Sequence, residues 1–407
     1  MEKKQKKYLL ISPDFPPPLV GGSLVWLLNL IENCPSDFDV LTGIKNQNYQ
    51  EVLNSPNKVI RSKFIKDSHN PTRIELLIMY IYMPVWLIIN QRKEKYDAVL
   101  VNPGVVGNSI LFWVGKFFNI KIIGAGHGEE ITMPLYGKGI KNYLKRFLMN
   151  VSYKQSSGFF VVCHFCKRLL VELGVKEGTI DVIPSCLNKN KINIDPSISK
   201  IKYKVISVGR FIERKGFHLL IEAIVELRKE IKDITLDLVG TGPMKDVLIN
   251  QINEAGASDY IKLFNNISDK ELSNLYQRSS LFILAHMLLE NGDTEGCPTV
   301  FSEAMGHNLP LIGGTGAGAD TAIIQGKNGY VVDVRNKDDL MYHIKKIITD
   351  QDLSNKMIEY GKQKLEKDHD PEKNGKALQN TICRLIKGDK ATGAQEAFNL
   401  LDKNILN

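Results

Sequence analysis

Residues 204–230 read KVISVGRFIERKGFHLLIEAIVELRKE: a short apolar run, a loop carrying Arg210 and Lys215, then the helical pattern FHLLIEAIVELRKEI (217–231). The opening run is near-continuously apolar, as a strand buried on both faces should be. A strand that passes through a short turn into a helix is one unit of a parallel sheet covered by helices. The pattern recurs downstream, with apolar runs at ITLDLVG (234–240), IKLF (261–264), LFILA (281–285), LPLIGG (309–314) and GYVVD (329–333). A similar series lies upstream: KYLLIS (7–12), FDVLTG (38–43), DAVLVN (97–102), IKIIGAG (120–126), GFFVVC (158–163) and IDVIPS (180–185). After Asp333 only helical patterns follow.

Between the two series, residues 187–202 (LNKNKINIDPSISKIK) are polar and contain a proline, which reads as a linker. The expected architecture is α/β, two Rossmann-like doubly wound domains facing a central cleft. Their expected bounds are 1–199 and 200–370, with 371–407 a helix crossing back to the first domain plus a tail. The length of 407 residues, about twice the usual domain of roughly 100–200, agrees and excludes one small module. Hydrophobic residues at 43% and charged residues at 24% provide for packed cores and exclude global disorder. Ligands of such sheets bind outside the carboxyl ends of the strands, so the residues just after each strand matter most.

Lys+Arg 53 against Asp+Glu 45 gives a net charge of +8, which suits nucleic acid, anionic lipid or a phosphorylated small molecule. Six scattered cysteines make no disulfide framework and point to a reducing compartment. The amino-terminal apolar run, Tyr8 to Ile11, is too short for a signal peptide, so the chain is expected in the cytosol. Residues 74–90, IELLIMYIYMPVWLIIN, are the most apolar stretch. They carry Glu75 and Pro84 and fall short of the roughly 20 residues a membrane span needs, so a buried or interfacial helix is expected.

Three segments can carry chemistry. After the first strand, PPPLVGG (16–22) leads into a helical pattern, and Gly21 and Gly22 can bring backbone N–H groups to an anion. A paired glycine there is also an ordinary tight turn. After Gly209, Arg210 stands at the carboxyl end of a buried strand and Lys215 just before a helix, so both cations can point at a ligand. A cation about 4 Å from a phosphate is worth around 4 kcal/mol at an effective dielectric near 20, whereas a helix terminus contributes roughly 0.3–2. The third segment is DTEGCPTVFSEAM (293–305). Pro298 at the first position of a helix would leave the N–H groups of Thr299 and Val300 facing an anion. Glu295 before that helix and Glu303 inside it can accept hydrogen bonds from sugar hydroxyls on either side of a diphosphate.

In combination these motifs resemble the retaining glycosyltransferases of family 4, which have the two-domain GT-B fold. The E-x7-E element is Glu295 to Glu303, in the context EGCPTVFSEAM; the S-V-G-R-x4-K-G element is Ser207–Gly216; LVGTGP (238–243), the 261–285 stretch, the PPxxGG loop and His127-Gly128-Glu129 also follow the family. The resemblance implies transfer of a sugar from a nucleotide diphosphate sugar with retained anomeric configuration, no bound metal and no other cofactor. UDP- or GDP-sugar is the expected co-substrate. It implies that Arg210 and Lys215 bind the diphosphate, assisted by Gly209, Gly296, Cys297, Pro298 and the amides of Thr299 and Val300. Glu303 would hold the ribose, Glu295 the donor sugar, Asn266 and Ile267 the base, Gly22 a phosphate, and His127 the sugar near the reacting carbon. Asn265 stands where relatives have glycine, Ser185-Cys186 where they have Asn-Gly, and Gly313-Gly314-Thr315-Gly316 lacks their Pro-Glu, so donor choice is not inferred.

Other signals are set aside. Cys163-His164-Phe165-Cys166 has no second pair at metal-ligand spacing and reads as a helix start. Asp37-Phe38-Asp39 resembles a metal-binding D-x-D motif but reads as a turn. His164, His218, His286 and His307 are assigned core or surface roles. Residues 138–154, KGIKNYLKRFLMNVSYK, form a basic amphipathic helix with Lys138, Lys141, Lys145 and Arg146 beside Ile140, Leu144, Phe147, Leu148 and Val151. Its apolar stripe either faces the core or, with Lys3, Lys4, Lys6 and Lys7, meets an anionic membrane. The expectation is a cytosolic or inner-leaflet enzyme acting on a glycan or lipid-linked acceptor of a cell-envelope polymer. An inactive nucleotide-sugar-binding subunit or sensor is the alternative, and no nucleic-acid module is recognised.

Overall fold

In the computed structural model, which describes residues 6–15, 22–44, 58–66, 71–102, 104–188 and 191–388, the apolar runs form two wholly parallel sheets. The first contains β1 (Lys7–Ile11), β2 (Asp37–Gly43), β3 (Lys58–Ser62), β4 (Ala98–Val101), β5 (Ile122–Gly126), β6 (Gly158–Val161) and β7 (Ile180–Val182), in the order β3-β2-β1-β4-β5-β6-β7. Tyr8 of β1 lies opposite Phe38 on one side and Ala98 on the other, and Tyr8 through Ile11 are fully buried. The second contains β8 (Lys204–Val208), β9 (Thr235–Val239), β10 (Ile261–Phe264), β11 (Leu281–Leu284), β12 (Leu311–Gly314) and β13 (Gly329–Val332), in the order β10-β9-β8-β11-β12-β13. Strand order reverses between β1 and β4 and between β8 and β11, and beside such a reversal the loops splay to leave room for a ligand.

β3 has no counterpart among the strands read from the sequence. It is an edge strand, KVIRS, only partly buried, and lacks the continuous apolar character of the inner strands. The D-x-D motif proves to be strand rather than turn. Asp39 is buried within β2, accepts a 2.6 Å hydrogen bond from Tyr96 Oη and pairs with Lys7 Nζ at 3.1 Å.

The helices of the first unit are α1 (Gly22–Glu32), α2 (Arg73–Glu94), α3 (Gly104–Phe118), α4 (Glu129–Tyr136), α5 (Ile140–Ser152) and α6 (His164–Glu172). Right-handed crossovers put α1, which lies in the step from β1 to β2, on one face of the sheet, and α2 through α6 on the other. α3 packs against both α2 and α5. The helices of the second sheet are α7 (Phe217–Glu230), α8 (Lys245–Glu254), α9 (Asp269–Arg278), α10 (Thr299–Gly306), α11 (Ala319–Ala322), α12 (Lys337–Thr349) and α13 (Gln351–Asp368), followed by α14 (Pro371–Lys387).

The chain divides into two compact units, Met1–Ile183 with Pro371–Asn407, and Pro184–Asp370. The division falls after Ile183 rather than near 200, because the polar stretch is hydrogen-bonded onto the second unit. Gln277 Nε2 and Ser273 Oγ each donate to Asn193 O at 2.8 Å, and Asp195 N donates to Gln277 Oε1 at 2.8 Å. In the first unit α14 lies against α1. Arg384 Nη2 pairs with the buried Asp181 at 2.6 Å, and a side chain at Gly375 would stand 2.0 Å from Asn33 O.

Helices α2 and α5 expose stripes of apolar side chains. α2 is 22 residues long, longer than the apolar run, and begins with a capping box between Thr72 and Glu75. By length and composition it could cross a membrane, but Met79, Met83 and Leu87 are buried while Ile74, Leu77, Ile78, Ile81, Val85 and Ile89 are exposed. In α5 the stripe Ile140, Tyr143, Leu144 and Phe147 is exposed, so it does not face the core.

Candidate functional site

The residues that the sequence singles out fall into two groups, one on each unit. In the second unit, the loops after β8 and β11 flank the strand-order reversal. The first loop leaves Val208 and is tied to the β9 loop by Gly209 N to Val239 O at 3.0 Å and Phe211 N to Thr241 O at 2.9 Å. It closes in a 3₁₀ turn, Glu213–Lys215, that ends at Gly216. Gly216 has φ +65°, and a Cβ there would lie 1.8 Å from Ala285 O, so only glycine lets this loop seat against the end of β11. That contact aims Lys215 at the second loop.

Lys215 Nζ lies 3.1 Å from Glu295 Oε1, and Arg214 Nη2 lies 3.0 Å from the same oxygen. Arg214 Nε pairs with Asp293 Oδ1 at 3.0 Å and donates to Thr294 O at 3.1 Å. Arg214 and Lys215 are both buried. Burial opposes the Lys215 charge and leaves its ammonium below the ordinary lysine range, although Glu295 pulls it back up. Burial likewise opposes ionisation of Glu295, but Lys215 and Arg214 outweigh it and hold the carboxyl below the usual range. Glu295 is therefore an ionised counter-ion to two cations. Arg210 is exposed, and its side chain makes no hydrogen bond or ion pair among the described residues.

Downstream, Gly296, Cys297 and Pro298 lead into α10. Pro298 is its N-cap, with φ −60° and ψ 124°, so the helix starts at Thr299, one residue later than expected. Thr299 and Val300 occupy the first two positions, where N–H groups lack intrahelical acceptors. Glu303 is the fifth residue, buried, with Lys191 Nζ at 3.3 Å and a 3.4 Å hydrogen bond from Tyr276 Oη. Tyr276 is itself stacked on His307 at 4.8 Å. On the β10 loop the left-handed residue is Asn266, φ +54°, rather than Asn265 where relatives have glycine. Asn tolerates that conformation better than most residues. Ile267 follows, and Ser268 caps α9.

The glycine run at the end of β12 has a packing reason. A Cβ on Gly314 would lie 1.7 Å from His286 O, and Thr294 Oγ1 donates to Gly316 O at 3.1 Å. His286 itself is fully buried, with Nδ1 2.9 Å from Leu284 O, and burial drives its imidazole down to about 4. His286 and His307 are thus core residues.

In the first unit, Gly22 opens α1 and is exposed, while Gly21 lies outside the described residues. His127 follows β5. Its Nδ1 is 2.9 Å from Glu130 Oε2, its Nε2 is 3.2 Å from Asn102 Nδ2 at the end of β4, and its ring meets Trp26 edge-on. Burial lowers the His127 pKa, but the Glu130 carboxylate outweighs it and the net shift is upward. Cys163 Sγ and Cys166 Sγ, at the start of α6, are thiols 3.3 Å apart, and no group of three or more metal-ligating side chains occurs among the described residues.

The sequence reading missed Arg214, Lys191, Asn102 and Glu130. Arg214 sits inside a recognised motif, but nothing in the motif marks it as a second buried cation beside Lys215. Lys191 and Asn102 act through contacts far along the chain, whereas Glu130 lies three residues from His127.

A family model described as "Glycosyl transferases group 1" matches residues 188–364. The chain is 29% identical over 147 residues to the GDP-mannose-dependent alpha-(1-6)-phosphatidylinositol monomannoside mannosyltransferase of Mycolicibacterium smegmatis, covering 36% of this chain and 38% of that protein. It is 34% identical over 140 residues to the UDP-N-acetylglucosamine–peptide N-acetylglucosaminyltransferase GtfA subunit of Streptococcus gordonii, covering 34% and 26%. These matches span well under half the length of either relative. In structure it is similar to sucrose-phosphate synthase from Thermosynechococcus elongatus, with TM-score 0.74 and 17% identity over 95% of this chain and all of that one. The chain therefore carries, on residues 188–364, a domain of the glycosyl transferases group 1 family within a GT-B fold of two parallel-sheet units.

Proposed function

We propose that the protein is a retaining, metal-independent hexosyltransferase that moves a sugar from a UDP- or GDP-sugar to a glycan or lipid-linked acceptor in cell-envelope polysaccharide or glycolipid synthesis, on the cytoplasmic side. The observation that carries this reading is the charge cluster at the reversal of the second sheet. Arg214 and Lys215 pair with Asp293 and Glu295, and Arg210 on the same loop has no ion-pair partner among the described residues, so the cluster carries one cation in excess of its carboxylates, on the loops that lead to the N–H groups of Thr299 and Val300.

When the bond between the sugar's anomeric carbon and the diphosphate oxygen breaks, negative charge grows on the departing diphosphate. Preorganised cations stabilise that charge most where water is excluded. Lys215 is held in place by Glu295, and Arg210 is uncommitted, so both can meet a diphosphate. Glu303, paired with Lys191, would accept from the ribose hydroxyls; His127, held by Glu130 and Asn102, is the first-unit residue that the resemblance assigns to the donor sugar. The relatives named above use GDP-mannose in one case and UDP-N-acetylglucosamine in the other, so both bases belong in the reading.

The test is a thermal-shift panel of UDP-, GDP-, ADP- and dTDP-sugars followed by a transfer assay with the donor that binds, with and without EDTA. A ligand at about 100 times its dissociation constant adds roughly 2.7 kcal/mol of stability. Stabilisation by one nucleotide sugar, with EDTA-resistant transfer and retained anomeric configuration, is the expected result. Binding without transfer to any acceptor would instead favour a nucleotide-sugar-binding subunit.

A further inference from the structure

We infer that the outer faces of α2 and α5 form a membrane-docking surface that seats the first unit on a bilayer with anionic headgroups, α2 lying in the interfacial plane. At 100° per residue the exposed Ile74, Leu77, Ile78, Ile81, Val85 and Ile89 fall within an arc of about 120°, while Met79, Met83 and Leu87 lie opposite. α2 is thus apolar on both sides. One side is committed to the protein, since the helix packs on α3 over one face of the sheet. The other is an apolar stripe about 22 Å long at 1.5 Å per residue. Arg73 precedes it and Arg92, Lys93 and Lys95 follow it, all exposed. A helix with one side packed on a neighbouring helix of the fold, as α2 is on α3, lies in the interface and does not thread the hydrocarbon.

α5 belongs to the same helical layer, because it also packs on α3 and follows a crossover of the same hand. Its exposed Ile140, Tyr143, Leu144 and Phe147 span about 100° of arc, with Lys141 and Arg146 on either flank. Exposed apolar patches of this extent on a folded chain mark interaction sites.

Charge selects the occupant. Residues 138–154 hold Lys138, Lys141, Lys145, Arg146 and Lys154 and no Asp or Glu. A two-fold dimer through this face would set those cations against their own copies. An anionic lipid surface would neutralise them while the apolar stripes enter the acyl boundary and the lysine stems reach back to the headgroups.

The experiment is co-sedimentation of the full chain with vesicles of phosphatidylcholine alone and of phosphatidylcholine mixed with phosphatidylglycerol. It is repeated for I81E/V85E and K138E/K141E, with circular-dichroism melting to show that both fold and sedimentation velocity without lipid. The expected result is binding to the anionic vesicles, reduced roughly tenfold or more by I81E/V85E. K138E/K141E should lower the affinity for the anionic vesicles by roughly tenfold or more and abolish their advantage over neutral ones. Failure of the wild type to bind either vesicle overturns the inference, as does full binding by a folded I81E/V85E. A wild-type dimer that I81E/V85E converts to monomer, without vesicle binding, overturns it in favour of a homotypic interface. None of these readouts depends on sugar transfer, so the docking surface and the enzymatic reading stand or fall separately.

Discussion

Lys215 Nζ and Glu295 Oε1 lie 3.1 Å apart in a buried ion pair that joins the loops after β8 and β11. The resemblance assigns one to the diphosphate and the other to the sugar, but the structure binds them first to each other. The pair keeps a desolvated lysine charged and in place before any ligand arrives, which is what electrostatic preorganisation requires.

Removing either cation should therefore abolish transfer while affecting the fold differently. A cation worth around 4 kcal/mol to the leaving diphosphate corresponds to a loss of about a thousandfold in kcat/KM. Arg210→Ala should show that loss with an unchanged melting temperature, because Arg210 is exposed and has no ion-pair partner among the described residues. Lys215→Ala should show it with a lowered melting temperature. Wild-type-like turnover in either purified variant would overturn the proposed function.

Arg214 is the structural member of the cluster. Its guanidinium pairs with Asp293 and Glu295 and donates to Thr294 O, so Arg214→Ala takes the cation from Asp293 and leaves Glu295 with Lys215 alone. Breaking a buried pair in this way costs about 3–5 kcal/mol. Arg214→Lys should recover only part of it, since an ammonium cannot reproduce the fork. Urea midpoints at constant slope would measure both, and an Arg214→Ala variant as stable as wild type would contradict the clamp.

Two glycines give a matched contrast. Gly216→Ala forces a left-handed residue whose Cβ would meet Ala285 O at 1.8 Å, and should cost roughly 3 kcal/mol or more. Gly22→Ala meets nothing within 4 Å and should stay within about 0.5 kcal/mol of wild type. Thermal melts of the two variants check both values at once.

The His127–Glu130 pair predicts a pH window. Burial pushes against both charges, yet the two groups hold each other: the Glu130 pKa is lowered from 4.5 and the His127 pKa is raised from 6.5. The lowered carboxyl contributes stability above 4.5 that is lost as pH falls through its folded pKa. The raised imidazole contributes stability below 6.5 that is lost as pH rises through its folded pKa. Wild type should therefore exceed Glu130→Gln by the widest margin between these values, roughly 1–3 kcal/mol. A margin that keeps growing above neutral pH would show that the pair is not ionic.

The parallel-sheet architecture was legible because strands buried on both faces are continuously apolar, as at KVISV and LFIL. β3 was not, because an edge strand needs only one apolar side. The E-x7-E spacing marked Glu295 and Glu303 without tertiary information. Lys191, whose ammonium reaches Glu303 from residues read as a linker, could not be found that way. The domain boundary was misplaced for the same reason: polarity signals exposure, whereas Asn193 and Asp195 use their polar backbone to bind Ser273 and Gln277.

The sequence by itself determined the two series of strands, the cation-bearing loop after β8 and the two glutamates about the start of α10. These are local patterns, set by periodicity and by which residues a turn or a helix start accepts. Only the tertiary structure decided that Glu295 is the counter-ion of Lys215 and Arg214, and that the apolar stripe of the basic helix faces outward. An amphipathic pattern states that a helix has two faces; which face is covered depends on what packs against it, and the burial that tunes an ion pair is a property of the assembled fold.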